Sequence, residues 1–123
     1  MELQTMTALE LSKKIRQRQV KVADGVKEVF DQIEKKEGKV HAYLDIYKKD
    51  ALARAKEVEK GIMDGTYIGP LAGVPIAIKD NICIKGKKTT CASKILENFV
   101  PQYNAEVIDH LEKAGMIVIG KTN

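Results

Sequence analysis

Three features of this 123-residue sequence predict an α/β fold. Its first third repeats apolar residues at the spacing of one helix face. Two later runs, 74–78 and 116–119, are short, apolar and rich in β-branched residues, and another helical pattern lies between them. Strand, helix, strand with glycine at the joints reads as a βαβ unit with parallel strands and a right-handed crossover. Runs without a polar interruption further predict strands buried on both faces.

Each element follows from local chemistry. Thr7 is placed to cap a first helix that carries Ala8, Leu11 and Ile15 on one face and Lys13, Lys14, Arg16 and Arg18 on the other. A second helix is expected over 22–36, with Val22, Val26, Val29, Phe30 and Ile33 inward and Gly38 closing it just past its end. The period then drops to two. Over 40–47, Val40, Ala42, Leu44 and Ile46 share one face and His41, Tyr43, Asp45 and Tyr47 the other, which predicts a half-buried strand with His41 pointing outward. Asp50 suits the cap of a third helix with the stripe Leu52, Ala55, Val58 and Ile62, ended near an Asp64-Gly65 turn. Gly69, Pro70 and Gly73 then turn the chain into the first apolar run. The polar stretch 85–93 reads as a loop near the end of that strand, and Ser93 opens a short turn through Leu96. Asn104 is expected to cap a helix over 105–114, with Val107, Ile108, Leu111 and Ala114 inward and Gly115 at its end.

Composition narrows the function classes. The net charge of +4 comes from 21 basic and 17 acidic residues spread along the chain, so the Lys35-Lys36, Lys48-Lys49 and 85–88 clusters read as solvated faces. With two Phe, four Tyr and no Trp, few rings are available to stack on bases, and direct nucleic-acid binding has no support. Cys83 and Cys91 form no C-x-x-C, and His41 and His110 complete no zinc pattern; two reduced thiols, no metal and no cofactor in this chain are expected. The amino-terminal stretch MELQTMTALE lacks the basic and apolar regions of a leader, and no run approaches the ~20 apolar residues of a membrane span, so the expected compartment is cytoplasmic with no membrane partner.

The chemistry concentrates at Lys79, which ends the first apolar run. Alternation puts it on the side of Ala77, opposite Ile76, Ile78 and Asp80. A lysine at a strand end commonly reaches into water. It also stands where ligands sit in open α/β sheets, and partial burial lowers an amine's proton affinity toward that of a general base. Asp80 and Asn81 either order the neighbouring backbone or serve as turn residues.

The segment GPLAGVPIAIKDNICIKGKKTTCAS, with ENFVPQYNAEVIDHLEKAGMIVIGKTN after it, resembles the amidase signature family, and within it the A-type subunits of glutamyl-tRNA(Gln) or aspartyl-tRNA(Asn) amidotransferases. The resemblance covers the whole chain and is strongest from Tyr67 onward. It implies the amino-terminal part of the amidase-signature fold: a helical layer, then strands of a mixed, largely buried sheet with covering helices. Residues 1–123 would be one portion of a single amidase domain, incomplete at its carboxyl end. It further implies a Ser-cisSer-Lys triad in which Lys79, by its place in the motif, accepts protons through a bridging serine. The implied activity is that of a glutamine-hydrolysing glutaminyl-tRNA synthase type amidotransferase. Ammonia leaves glutamine through an acyl-enzyme, and partner subunits of B and C type, using ATP and magnesium, pass it to mischarged tRNA. The family's two serines lie downstream of the K-T-N segment. Ser12 and Ser93 are the only serines here and neither sits in a glycine-rich turn, so the isolated chain is expected to be inactive. A freestanding amidase sharing the same strand and lysine, or a non-catalytic truncated interaction domain, are the alternative readings.

Overall fold

The computed structural model describes residues 3–123, Gln4 by its backbone alone; Met1 and Glu2 of the amino-terminal stretch lie outside the described residues. After a 3-10 turn at Leu3–Thr5 come α1 (Ala8–Arg16), α2 (Val22–Val40), β1 (Tyr43–Ile46), α3 (Lys48–Met63), β2 (Pro75–Lys79), a 3-10 turn at Lys94–Leu96, α4 (Glu106–Lys113) and β3 (Ile117–Thr122). The sheet order is β1-β3-β2, with β2 parallel and β1 antiparallel to β3. The parallel pair and the helix between its strands are as the sequence predicts.

Thr7 caps α1 as expected, and does so reciprocally. Its hydroxyl accepts the Glu10 N–H at 3.1 Å while the Glu10 carboxylate accepts the Thr7 N–H at 2.9 Å, satisfying two donors that the helix leaves free. Ser93 likewise caps the turn that follows it. The main core lies between the helices α1–α3 and one face of the sheet, where Ile15, Val22, Val26, Phe30, Ala55 and Ile117 meet. Burying each large aliphatic side chain there contributes about 1.5–3 kcal/mol. A smaller core under α4 joins Tyr47, Ile78, Ile84 and Ile108 on the opposite face.

Several boundaries and faces differ from the sequence reading. Helix α2 passes through Gly38 and ends at His41, which is left-handed at φ 51° and exposed. Glu37 fixes that exit, because its carboxylate accepts the N–H groups of both Ala42 and Tyr43 at 2.6 Å. Strand β1 is therefore shorter than 40–47, and the face expected inward is not buried: Leu44 and Ile46 are 47% and 40% exposed, whereas Tyr43 packs on the helical core and Tyr47, just past the strand, joins the smaller core on the opposite face. The pairing of β1 with β3 is irregular between Tyr43 and Asp45, which breaks the strict alternation that the sequence predicts.

Helix α3 starts at Lys48 with no side-chain cap; Asp50 lies in its first turn and pairs with Lys87. Its buried face is Ala51, Ala55, Val58 and Gly61, with Leu52 and Ile62 only half-buried. Gly61 is required, since a Cβ there would come within 2.3 Å of the Tyr67 ring. Helix α4 begins after Ala105. Asn104 instead braces the preceding loop, accepting the Lys85 N–H at 2.7 Å and donating to Asp109 at 3.0 Å. Val107 is exposed because α4 turns only the Ile108 side toward the sheet. Strand β2 is buried on one face only, with Ile78 inward and Ala77 open to solvent. Among the described residues no helix is long and apolar enough to cross a membrane.

Candidate active site at the carboxyl ends of β2 and β3

Alternation along β2 works as the sequence predicts: Ile78 and Asp80 point inward, Ala77 and Lys79 outward. Lys79 is exposed, so the partial burial expected of it is not present in this chain, and among the described residues its ammonium has no hydrogen bond or ion pair. The side of β2 that Lys79 shares with Ala77 is open to solvent at both residues. Lys79, Asn81, Cys91, Ala92, Thr122 and Asn123 line an open hollow of about 210 Å³.

The buried lysine is a different one. Lys121 in β3 is 0% exposed, with Asp80 at 3% and Thr89 at 3% beside it. Its ammonium donates to the Ile82 carbonyl at 2.7 Å, to Thr89 Oγ1 at 3.2 Å and to Asp80 Oδ1 at 3.4 Å. An ammonium has three donors, and all three find acceptors. The other carboxylate oxygen of Asp80 accepts the Thr90 N–H at 3.1 Å and the Thr90 hydroxyl. Burial by itself pushes the Asp80 carboxyl up, but the Thr90 hydrogen bonds and Lys121 outweigh it and hold it below the ordinary carboxylate range.

An irregularity in the ladder aims Lys121 at this cluster. Ile76 pairs with Val118 and Ala77 with Gly120, so Ile119 is passed over, and Ile78 comes opposite Lys121. An extra residue of this kind turns the following side chain to the other face. Ile117 and Ile119 therefore pack into the helical core, whereas Lys121 joins Ile78 and Asp80. Gly120 is needed at the crossing, because a Cβ would lie 2.3 Å from the Asp45 carbonyl oxygen.

The loop 89–93 closes the site. Cys91 and Ala92 are both left-handed, at φ 51° and 56°, a conformation that non-glycine residues hold only when their surroundings impose it. Here the Cys91 N–H donates to the Asp80 carbonyl at 3.0 Å and the Ala92 N–H to Thr90 Oγ1 at 3.2 Å. Asp80 thus does both things the sequence left open: it lies in the turn closed by the Ile82 N–H on the Lys79 carbonyl at 3.1 Å, and its carboxylate is the centre of a polar cluster. The remaining candidates lie apart. Ser12 is wholly buried in α1 and its hydroxyl has no hydrogen-bond partner among the described residues, and Ser93 Oγ accepts the Ile95 N–H. Cys91 is an exposed free thiol and Cys83 a half-buried one, 3.8 Å from the Tyr103 hydroxyl. Among the described residues, no group of three or more His, Cys, Asp or Glu side chains is arranged to hold a metal ion.

Comparison with known proteins places these features in a family. A family model described as Amidase matches residues 24–123. The whole chain is 52% identical to the A-type subunit of the glutamyl-tRNA(Gln) amidotransferase of Lachnoclostridium phytofermentans and 48% identical to its counterpart from Agathobacter rectalis, covering 25% and 24% of their lengths. The chain therefore spans about a quarter of the curated relatives it matches. The native peptide amidase of Stenotrophomonas maltophilia superposes with a TM-score of 0.89 at 27% identity, over 96% of this chain and 24% of that one. Fatty acid amide hydrolase, at 22% identity, has the same fold, with a TM-score of 0.91 over 98% of this chain and 21% of its own. A family model that spans β1 to β3, together with a backbone that overlays on solved amidases, shows that this chain belongs to the amidase signature family.

Proposed function

We propose that this chain is the amino-terminal quarter of the glutaminase component of a tRNA-dependent amidotransferase, and that Lys79 is the proton-accepting member of its catalytic triad. The observation that carries this reading is the 52% identity over the whole chain with an A-type subunit of a glutamyl-tRNA(Gln) amidotransferase. Lys79 suits the role in position: it stands at the carboxyl end of a parallel strand, free of any ion pair among the described residues and facing an open hollow. A serine brought to that hollow by the remainder of the domain would complete the proton path. The lysine amine would draw the proton from a bridging serine, which in turn draws it from the attacking hydroxyl.

Glutamine is the substrate of this reading. B-type and C-type subunits are the partners, with ATP and magnesium used on the partner side and mischarged tRNA as the acceptor. Ser12 is buried in α1 and Ser93 is engaged as a cap, so the 123 residues alone are expected to hydrolyse no glutamine. The alternative of a freestanding amidase draws support from the overlay on peptide amidase.

The test is a fusion of this chain to the other three quarters of the Lachnoclostridium phytofermentans relative. The expected results are glutamine hydrolysis by the fusion, its loss in Lys79→Met, and co-purification with the relative's B-type partner. Full activity in Lys79→Met would remove Lys79 from the mechanism, and activity on small amides without glutamine hydrolysis would favour the freestanding amidase.

A further inference from the structure

We propose that Lys121, acting through Asp80, is a positioning residue for Lys79: the buried cluster fixes the backbone that aims Lys79 and holds the loop that forms the far wall of its hollow. This rests on the reading of Lys79 as the triad lysine.

The argument is geometric. Asp80 follows Lys79 directly and is fastened at every polar group: its N–H donates to the Thr122 carbonyl at 2.8 Å, its carbonyl accepts the Cys91 N–H, and its carboxylate is shared by Lys121 and Thr90. Lys121 also holds Ile82, whose own N–H returns to the Lys79 carbonyl at 3.1 Å. One ammonium thus ties two residues of the turn that leaves Lys79. The same carboxylate anchors Thr90, whose hydroxyl secures the left-handed Ala92 on the wall of the hollow. A buried ion pair is a poor device for stability alone, since an apolar pair of similar volume often does as well; its established use is to fix one arrangement among several. The pair here fixes the residue adjoining Lys79 and the loop facing it.

Glutamine hydrolysis by the fusion, followed across the neutral pH range, tests this. Lys121→Met is expected to lower kcat on the order of 10²-fold, the effect of a displacement of about 1 Å at a reacting group, with KM little changed and the pH limb of kcat/KM displaced. In the Lys79→Met background the same substitution should cost nothing further, because both act on one proton path. Thr90→Val, which removes one hydroxyl and is nearly isosteric, should lower kcat by about fivefold and move the same limb. The apolar swap Lys121→Met/Asp80→Leu should fold while staying as slow as Lys121→Met.

If Lys121→Met does not fold, the swap and Thr90→Val decide. Wild-type kcat in the folded swap, or an unmoved kcat and pH limb in Thr90→Val, overturns the proposal. An inactive Lys79→Met beside a fully active Lys121→Met removes this inference alone, whereas a fully active Lys79→Met removes the underlying reading and this inference with it.

Discussion

Lys79 and Lys121 end neighbouring parallel strands, one residue apart in register, and meet opposite environments. Lys79 pairs across the ladder with Thr122, is exposed, and its side chain makes no polar contact among the described residues. Lys121 pairs with Ile78, is fully buried and spends all three donors. A side chain whose every bond is satisfied has a low-energy arrangement to protect and little to offer a substrate; one without partners has the reverse. The same residue type, on adjacent strands, thus serves as part of the frame in one case and as an available functional group in the other.

The contrast is broken most sharply at Lys79. In the fusion, Lys79→Met and Lys79→Arg should each lose glutamine hydrolysis on the order of 10³-fold or more, arginine failing because it cannot give up its proton. In the 123-residue chain, where Lys79 is exposed, neither should shift a denaturant melt by more than about 0.5 kcal/mol. Lys121→Met should do the opposite to stability, costing about 3–5 kcal/mol because Asp80 is left buried and unpaired, while the swap with Asp80→Leu recovers most of it. Equal melts for Lys79→Met and Lys121→Met would erase the distinction.

A pH series sharpens it further. Asp80 titrates below the ordinary carboxylate range in the folded protein, so the unfolded chain binds the proton more readily. Its contribution is present above the ordinary range and is lost as pH falls through the depressed folded value. Urea melts should accordingly show stability falling with acid in the wild type, and Lys121→Met, which removes one cause of the depression, should fall less steeply. The smallest expected effect is a control remote from both lysines. Thr7→Ala removes the reciprocal cap of α1 and should cost about 1 kcal/mol with activity unchanged at a temperature where the protein stays folded.

What the sequence made legible was local. The Thr7 cap, the inward faces of Leu11 and Ile15 in α1 and of Val22, Val26 and Phe30 in α2, and the side that Lys79 shares with Ala77 all depend on residues a few positions apart, and each appears in the structure. What it hid depends on contacts distant in the chain. Strict alternation puts Lys121 on the face of Ile117 and Ile119; only the passed-over Ile119 turns it toward Asp80, and a bulge leaves no mark in a period. The available signal was Gly120 just before it, since a glycine inside a strand often marks such an irregularity. The faces of β1 were ambiguous for a different reason. Large aliphatic groups alternate with large rings over 43–47, and the irregular pairing between Tyr43 and Asp45 leaves Tyr43 on the helical core and Tyr47 on the opposite one, which a period of two does not foretell.

The strand order has a consequence for how the chain is made. Among the described strands, β3 follows β1 and β2 in sequence but lies between them in space, and β1 and β2 touch it rather than each other. During synthesis from the amino terminus, at ~5–20 residues per second, both outer strands emerge seconds before the strand that pairs them. For that interval the helices α1 to α3 can associate, but Tyr43 and Ile78 have no ladder to join. A ribosome stalled before Ile117 should therefore hold a nascent chain whose helical region resists proteolysis while the segment around β2 is cut readily, and release beyond Thr122 should protect both at once.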